Sequence, residues 1–296
     1  MTSTQDRVLC DIRDANFHHG GLRCKRVLTV EEEFFREMQS EISKLIVDNQ
    51  PSDVQNKEHL TNWTRPYGNA IQYSLLNESG QFDDFTKDFN GTSRNKRFHH
   101  GDKYPALSRF IGGFPDAINL RLNGMGPDSG LSPHEEHTVI RQGLRFGVRV
   151  RLHLPIFTTP EAQVYLDGDY FHFDEGSVYY FNNGCVHSAR NLGTETRYHL
   201  VWDMPLTART FDLLFDSDGA IPSPFLDRVP GGDQEVPIVS HEEVDGFETI
   251  GPAARIHRAL GLERMGVSHH QFQNVYNQVA YRYWLTTPPT LVGADS

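Results

Sequence analysis

Between Pro133 and Asp203 the chain sets out the parts of a redox metal site. His134 and Glu136 stand two residues apart, His187 follows fifty-one residues after Glu136, and Arg197 comes ten beyond His187. On a β-strand, residues i and i+2 share a face, so His134 and Glu136 can reach one ion. His187, just after an Asn182-Asn183-Gly184 turn, is the candidate third ligand. Two neutral imidazoles and one carboxylate leave three coordination positions open. That suits iron(II) with dioxygen and a chelating co-substrate, whereas four closed ligands would point to structural zinc. Arg197, if buried and aimed inward, would hold the distal carboxylate of 2-oxoglutarate through two parallel hydrogen bonds. The 2-oxo acid end would then chelate the iron.

Two other histidine groups compete for this role. His137 lies three residues beyond His134 but has no carboxylate two residues further on, so it ranks second. His269 and His270 are adjacent, would diverge on a helix, and are read as surface residues. A chain with 15 histidines contains a His-x-Glu by chance, so the weight rests on the surrounding pattern.

Residues 144–154 alternate strongly, with Arg149, Arg151 and His153 on one face and Val148, Val150, Leu152 and Leu154 on the other. An exterior polar face is the plain reading of such alternation. Three ionisable groups without interleaved acids suit an anion-binding interior, and the inward reading is adopted. Arg151 and His153 then join Arg197 as co-substrate-binding residues, and Arg149 is assigned to the substrate. Which of Arg149 and Arg151 takes a substrate carboxylate is left open, with Arg65 a more distant candidate. Asn69, Gln72 and Tyr73 are expected to line the same pocket.

The elements that must carry these residues read as follows. Residues 29–46 form an amphipathic helix, with Thr29 as cap, Glu32 at the capping-box position, and Val30, Phe34, Met38, Ile42, Leu45 and Ile46 at helical spacing. Residues 48–57 are a loop. Residues 68–76 enter the sheet as a strand, and the polar stretch 77–104 is a candidate flap. From about 117 to 204 short strands are separated by Gly, Asn and Asp turns, including an Asp167-Gly168-Asp169 hairpin. This texture predicts a mainly β protein with flanking helices, built on a double-stranded β-helix, or jelly roll. The oxygenase domain is expected over 1–205. A loop and helical region over 206–296 packs on it, with helices near 252–263 and 268–284, the second striped by Phe272, Tyr276, Val279 and Tyr283.

Composition narrows the partners. The chain has 296 residues, 38% of them hydrophobic, and a formal net charge of −11. That charge argues against nucleic acid as a main partner, while a local arginine cluster can still reverse the field inside a pocket. No apolar run reaches the ~18 residues that span a membrane, and no secretory signal is visible. The three cysteines form no CxxC pair and read as free thiols of a reducing cytoplasm. The C-terminal helices are a candidate homodimer surface.

Gly176-x5-Asn182-x-Gly184-x2-His187-x3-Asn191 resembles the second metal motif of the cupin superfamily, with Asn182 where proline is usual. Pro133-His134-Glu135-Glu136, Arg149-Val150-Arg151-Leu152-His153-Leu154, Val186-His187-Ser188-Ala189-x-Asn191 and Arg197 together resemble the aspartyl/asparaginyl β-hydroxylase family. Its bacterial free-proline hydroxylases belong to the same group. The resemblance is clear over about 70 residues. It departs from the family in offering Glu136 where aspartate is usual. It implies a jelly roll that binds iron and 2-oxoglutarate, converts 2-oxoglutarate to succinate, and hydroxylates an unactivated C–H bond. A small amino acid or amino-acid derivative, free or N-substituted, is the expected substrate. Two other classes stay in view: a cupin-type metal enzyme that does not use 2-oxoglutarate, and a non-catalytic jelly-roll binding or sensor module. Arg197 speaks against the first and an intact triad against the second.

Overall fold

The computed structural model describes residues 3–17, 20–49, 70–88, 95–136, 138–142, 145–216, 218–219, 221, 223–244, 248–249, 260–267, 271, 275, 279 and 286–293. Two sheets face each other. The larger runs in the order β12 (Leu226–Arg228), β1 (Cys24–Val30), β9 (Ser177–Phe181), β6 (Arg145–Phe157), β11 (Arg197–Pro205), β3 (Asn119–Met125) and β2 (Ala70–Ser74). A further strand, β5 (Val139–Gln142), pairs with β6. The smaller sheet runs β13 (Ile238–His241), β8 (Asp169–Phe171), β7 (Ala162–Leu166), β10 (His187–Asn191), β4 (Ser129–Glu135) and β14 (Glu248–Thr249). All pairings are antiparallel except β14 on β4. Two antiparallel sheets wound in this non-sequential order make the expected jelly roll.

The main apolar core lies on the outer face of the larger sheet. Val150, Leu152 and Leu154 of β6, Leu200, Trp202 and Met204 of β11, and Leu120 and Leu122 of β3 all point there and are buried. Helices cover them. α2 (Glu32–Asp48) contributes Phe34, Phe35, Met38, Ile42 and Leu45, and α3 (Pro105–Gly112) contributes Leu107, Phe110 and Ile111. The alternate residues of the same strands therefore face the other sheet, which settles the direction of the Arg149, Arg151 and His153 stripe.

Several sequence expectations shift. The helix expected from Thr29 starts at Glu32 and is capped by Glu31, whose carboxylate accepts from Glu33 N and Phe34 N. Thr29 and Val30 are drawn instead into β1, paired with β9 and β12. Sheet pairing outweighs the local capping signal. An N-terminal helix, α1 (Thr4–Ala15), capped by Ser3, whose own N–H donates back to the Asp6 carboxylate, was not foreseen, nor was α4 (Ala208–Phe215). The Asp167-Gly168 hairpin is as expected, with both residues at positive φ (42° and 96°), as a type I′ turn requires. The region after Pro205 adds strands to both sheets through β12, β13 and β14. Residues 260–261 are a turn and Leu262–Met265 a short 3₁₀ helix. Most of the two expected C-terminal helices, including Phe272, Tyr276 and Tyr283, lies outside the described residues, and with them the test of a dimer surface. Val279 is exposed. Among the described residues no helix is long and apolar enough to cross a membrane.

Candidate active site

A cavity of about 130 Å³ lies between the sheets, lined by His134, Glu136, His187, Arg151, His153, Arg197 and Asp203 among others. A single water needs ~10–15 Å³ on the same measure, so there is room for a ligand. β4 and β10 are neighbours in the smaller sheet, and their register sets His187 directly opposite His134. The two rings lie 4.0 Å apart between centroids. His134 Nδ1 bonds the carbonyl of Ser132 at 2.7 Å and His187 Nδ1 that of Cys185 at 2.9 Å. A neutral imidazole donating from Nδ1 carries its lone pair on Nε2, the tautomer suited to a metal. Burial pushes the proton affinity of both rings below the ordinary histidine value, which keeps them neutral.

Glu136 follows β4 and is also buried. Its Oε2 accepts from Asn183 Nδ2 at 2.5 Å and from Arg151 Nη2 at 3.0 Å. Burial opposes ionisation of this carboxyl, but Arg151 and Arg149 outweigh it and hold the group below the usual range. Among the described residues, no three His, Cys, Asp or Glu side chains converge closely enough to hold an ion as they stand. The donor set fits iron(II) nonetheless. Two imidazoles are opposed with the correct nitrogen available, and an ionised carboxylate lies beside them.

Arg151 is more heavily engaged than expected. It forms a fork on Asp203, Nε to Oδ1 at 2.8 Å and Nη2 to Oδ2 at 3.0 Å, besides touching Glu136. Asp203 is buried; its Oδ2 accepts from Asn119 Nδ2, and its backbone N–H donates to Asn119 Oδ1. Arg149 Nη2 lies 3.8 Å from Glu136 Oε2, and its Nη1 3.9 Å from Asp203 Oδ2.

Arg197 behaves differently. It is 6% exposed, lines the cavity, and pairs with no carboxylate among the described residues; its recorded hydrogen bond is to Met125 Sδ at 3.8 Å. Burial pushes the guanidinium down to about 10. Next to it, neither ring nitrogen of His153 or His199 has a hydrogen-bond partner among the described residues, nor does Gln72 Oε1 or Asn123 Oδ1. Burial, with the nearby arginine charges, holds both histidines far below the ordinary value. Buried polar groups left this way are costly unless a ligand or water satisfies them.

The remaining expectations divide. Gln72 lines the cavity. Tyr73 does not: the next residue on a strand turns to the other face, and Tyr73 is buried in the helix-covered core against Phe82. Arg65, Asn69, His137, His269 and His270 lie outside the described residues. Sequence reasoning passed over Asp203, Asn119, Arg121, Asn123, Asn183 and His199. The signal for five of them was present. Arg197, His199 and Asp203 share one face of β11 by alternation, as do Asn119, Arg121 and Asn123 on β3.

A family model described as aspartyl/asparaginyl beta-hydroxylase matches residues 33–205. The chain belongs to that family. Membership makes it an iron(II)- and 2-oxoglutarate-dependent hydroxylase, with dioxygen as oxidant. A search of curated proteins finds no match. Solved structures with distant likeness include HygX from Streptomyces hygroscopicus with nickel and 2-oxoglutarate bound (12% identity, 70% of this chain and 90% of that one, TM-score 0.34). AviO1 from Streptomyces viridochromogenes Tue57 matches at 12% identity over 68% of this chain and 96% of that one (TM-score 0.33). The viral collagen prolyl hydroxylase of Paramecium Bursaria Chlorella virus-1, in its 2-oxoglutarate complex, matches at 9% over 52% and 91% (TM-score 0.28). Likeness at this level bears on neither substrate nor site.

Proposed function

We propose that this hydroxylase acts on a small amino acid or amino-acid derivative, with His134, Glu136 and His187 holding the iron and Arg197 the distal carboxylate of 2-oxoglutarate. The observation that carries the reading is Arg197 itself: a buried cation opening on the cavity with no acid to pair with among the described residues. An isolated buried charge is expensive, and a bound carboxylate relieves it with a bidentate pair. His153, kept neutral by burial, stands between Arg197 and Arg151 and can bond the same co-substrate. Arg151 is spoken for by Asp203, so Arg149 is taken as the anchor for a substrate carboxylate.

Iron(II), when bound, supplies the oxidising chemistry with dioxygen and 2-oxoglutarate. The chain's own residues orient and exclude water. Leu131, Val164, Phe181 and Ala189 line the cavity beside the histidines, and such an apolar lining strengthens the ion pairs inside it. Anaerobic incubation of the iron- and 2-oxoglutarate-loaded protein with amino acids and N-acyl amino acids, followed by admission of oxygen and mass spectrometry, tests the proposal. A substrate-dependent gain of one oxygen atom, matched by succinate, is expected. Succinate released with no amino-acid compound oxidised would defeat the substrate assignment and leave the co-substrate assignment intact.

A further inference from the structure

Helix α1 precedes the stretch that matches the family model, yet its end reaches the site. Asn16, the residue that closes it, is 1% exposed and uses every hydrogen-bonding position of its side chain. Its Oδ1 accepts from Thr138 N at 2.9 Å and from Thr138 Oγ1 at 3.0 Å. Its Nδ2 donates to Ile12 O at 2.7 Å and to Asn182 Oδ1 at 3.1 Å. Thr138 is two residues after Glu136. Asn182 adjoins Asn183, whose side chain bonds the Glu136 carboxylate and whose carbonyl accepts from Glu136 N at 2.8 Å.

Asn182 repeats the pattern from the other side. Its Nδ2 donates to Ile12 O and to Leu22 O, each at 3.0 Å, and its Oδ1 also accepts from Gly184 N at 3.1 Å. This position departs from the cupin-like motif, in which proline is usual. A proline here could make none of the side-chain bonds, and could not make the Asn182 N–H bond to Arg23 O. Gly184 completes the fit, because a Cβ there would sit 1.6 Å from Asn16 Oδ1. The two asparagines and the glycine thus form one interlocked joint.

We propose that Asn16 is a positioning residue of the iron site. It clamps the Glu136 segment and the turn before His187 to each other and to helix α1, so that the carboxylate and the second histidine keep one separation. The inference rests on the ligand assignment above. A core residue in the same helix would merely stabilise the fold; a clamp also sets metal affinity and geometry.

Cobalt(II) titration without oxygen, read by visible ligand-field absorption, with folding checked by circular dichroism, separates the possibilities. His187→Ala must first abolish the cobalt spectrum. If it does not, the ligand assignment has failed whatever Asn16 does. Given that, Asn16→Ala is expected to bind cobalt about 10–100-fold more weakly, the range seen when groups supporting a ligand are lost, with a shifted spectrum. Leu9→Val, which disturbs the buried face of the same helix, should lower the melting temperature and leave the spectrum and affinity unchanged. Should Asn16→Ala not fold, Thr138→Val removes one clamp bond at nearly constant volume and is expected to weaken cobalt binding several-fold. Affinity and spectrum indistinguishable from wild type in the folded Asn16 variant, or in Thr138→Val, overturn the proposal.

Discussion

The two walls of the cavity are opposites. The larger sheet presents Arg151, His153, Arg197, Asp203, Asn119, Arg121 and Asn123 inward, and keeps its hydrophobic side for the helices outside. The smaller sheet presents Leu131, Val164 and Ala189 inward, interrupted by His134 and His187. One wall binds charge and the other lowers the dielectric in which that charge acts. A sheet whose outer face already buries a sufficient core can give its inner face to polar groups. Arg151 is paired with Asp203 and Glu136, and Arg121 with Asp88, whereas Arg197 pairs with no carboxylate among the described residues.

The comparison is broken most severely by removing the histidines that interrupt the apolar wall. His187→Ala should bring turnover to background and remove metal binding, measured by succinate release and by metal content of the folded protein; retained activity would mean that the wall carries no ligand. Next is Arg197→Ala on the polar wall. Truncating a buried partner of a charge pair costs about 2–5 kcal/mol, so the KM for 2-oxoglutarate should rise by about 30-fold or more with amino-acid affinity less affected. An unchanged KM would place the co-substrate elsewhere.

A third effect is on stability. His153 and His199 have folded-state proton affinities below the unfolded value of about 6.5. Below that pH the unfolded chain binds more protons, so stability is full above it and declines as pH falls, by up to about 1.4 kcal/mol per pH unit for each histidine. Melting temperatures between pH 8 and 5.5 should therefore decline less steeply in His199→Phe than in wild type; parallel curves would show that His199 titrates alike in both states. The smallest effects contrast neighbours on β2. Gln72→Ala should alter KM values, because Gln72 lines the cavity. Tyr73→Phe should leave kinetics alone and keep or slightly raise stability, since its buried hydroxyl has no hydrogen-bond partner among the described residues. A kinetic change in Tyr73→Phe with none in Gln72→Ala would reverse the assignment of the two faces.

How far the sequence could be read follows the same division. Alternation placed Arg149, Arg151 and His153 on one face but could not say which face was inside, because both sides of the strand are covered. The histidine–carboxylate spacing was legible because it is local. Asp203 was not, since its importance lies in pairing with Arg151 across β11 and β6, fifty-two residues apart in sequence. Thr29 misled because a good capping residue was claimed by a strand pairing formed with distant segments. Asn182 was visible as an exception to a motif, and its reason needed helix α1, for which no resemblance existed.

The edge of the larger sheet has a consequence for how the molecule comes into being. β1 lies between β9 and β12, with Cys24 opposite Phe181 and Leu28 opposite Arg228. An N-terminal strand in that place has no partner until most of the chain has left the ribosome. Closing so long a loop is slow, because its entropy is lost before any contact is gained. Helix α1 is held back with it, and Asn16 with the helix. With Asn16 in its proposed role, the site is completed only when these distant segments meet, and a chain stopped before residue 226 would carry every proposed ligand yet lack β12, the edge strand that pairs with β1.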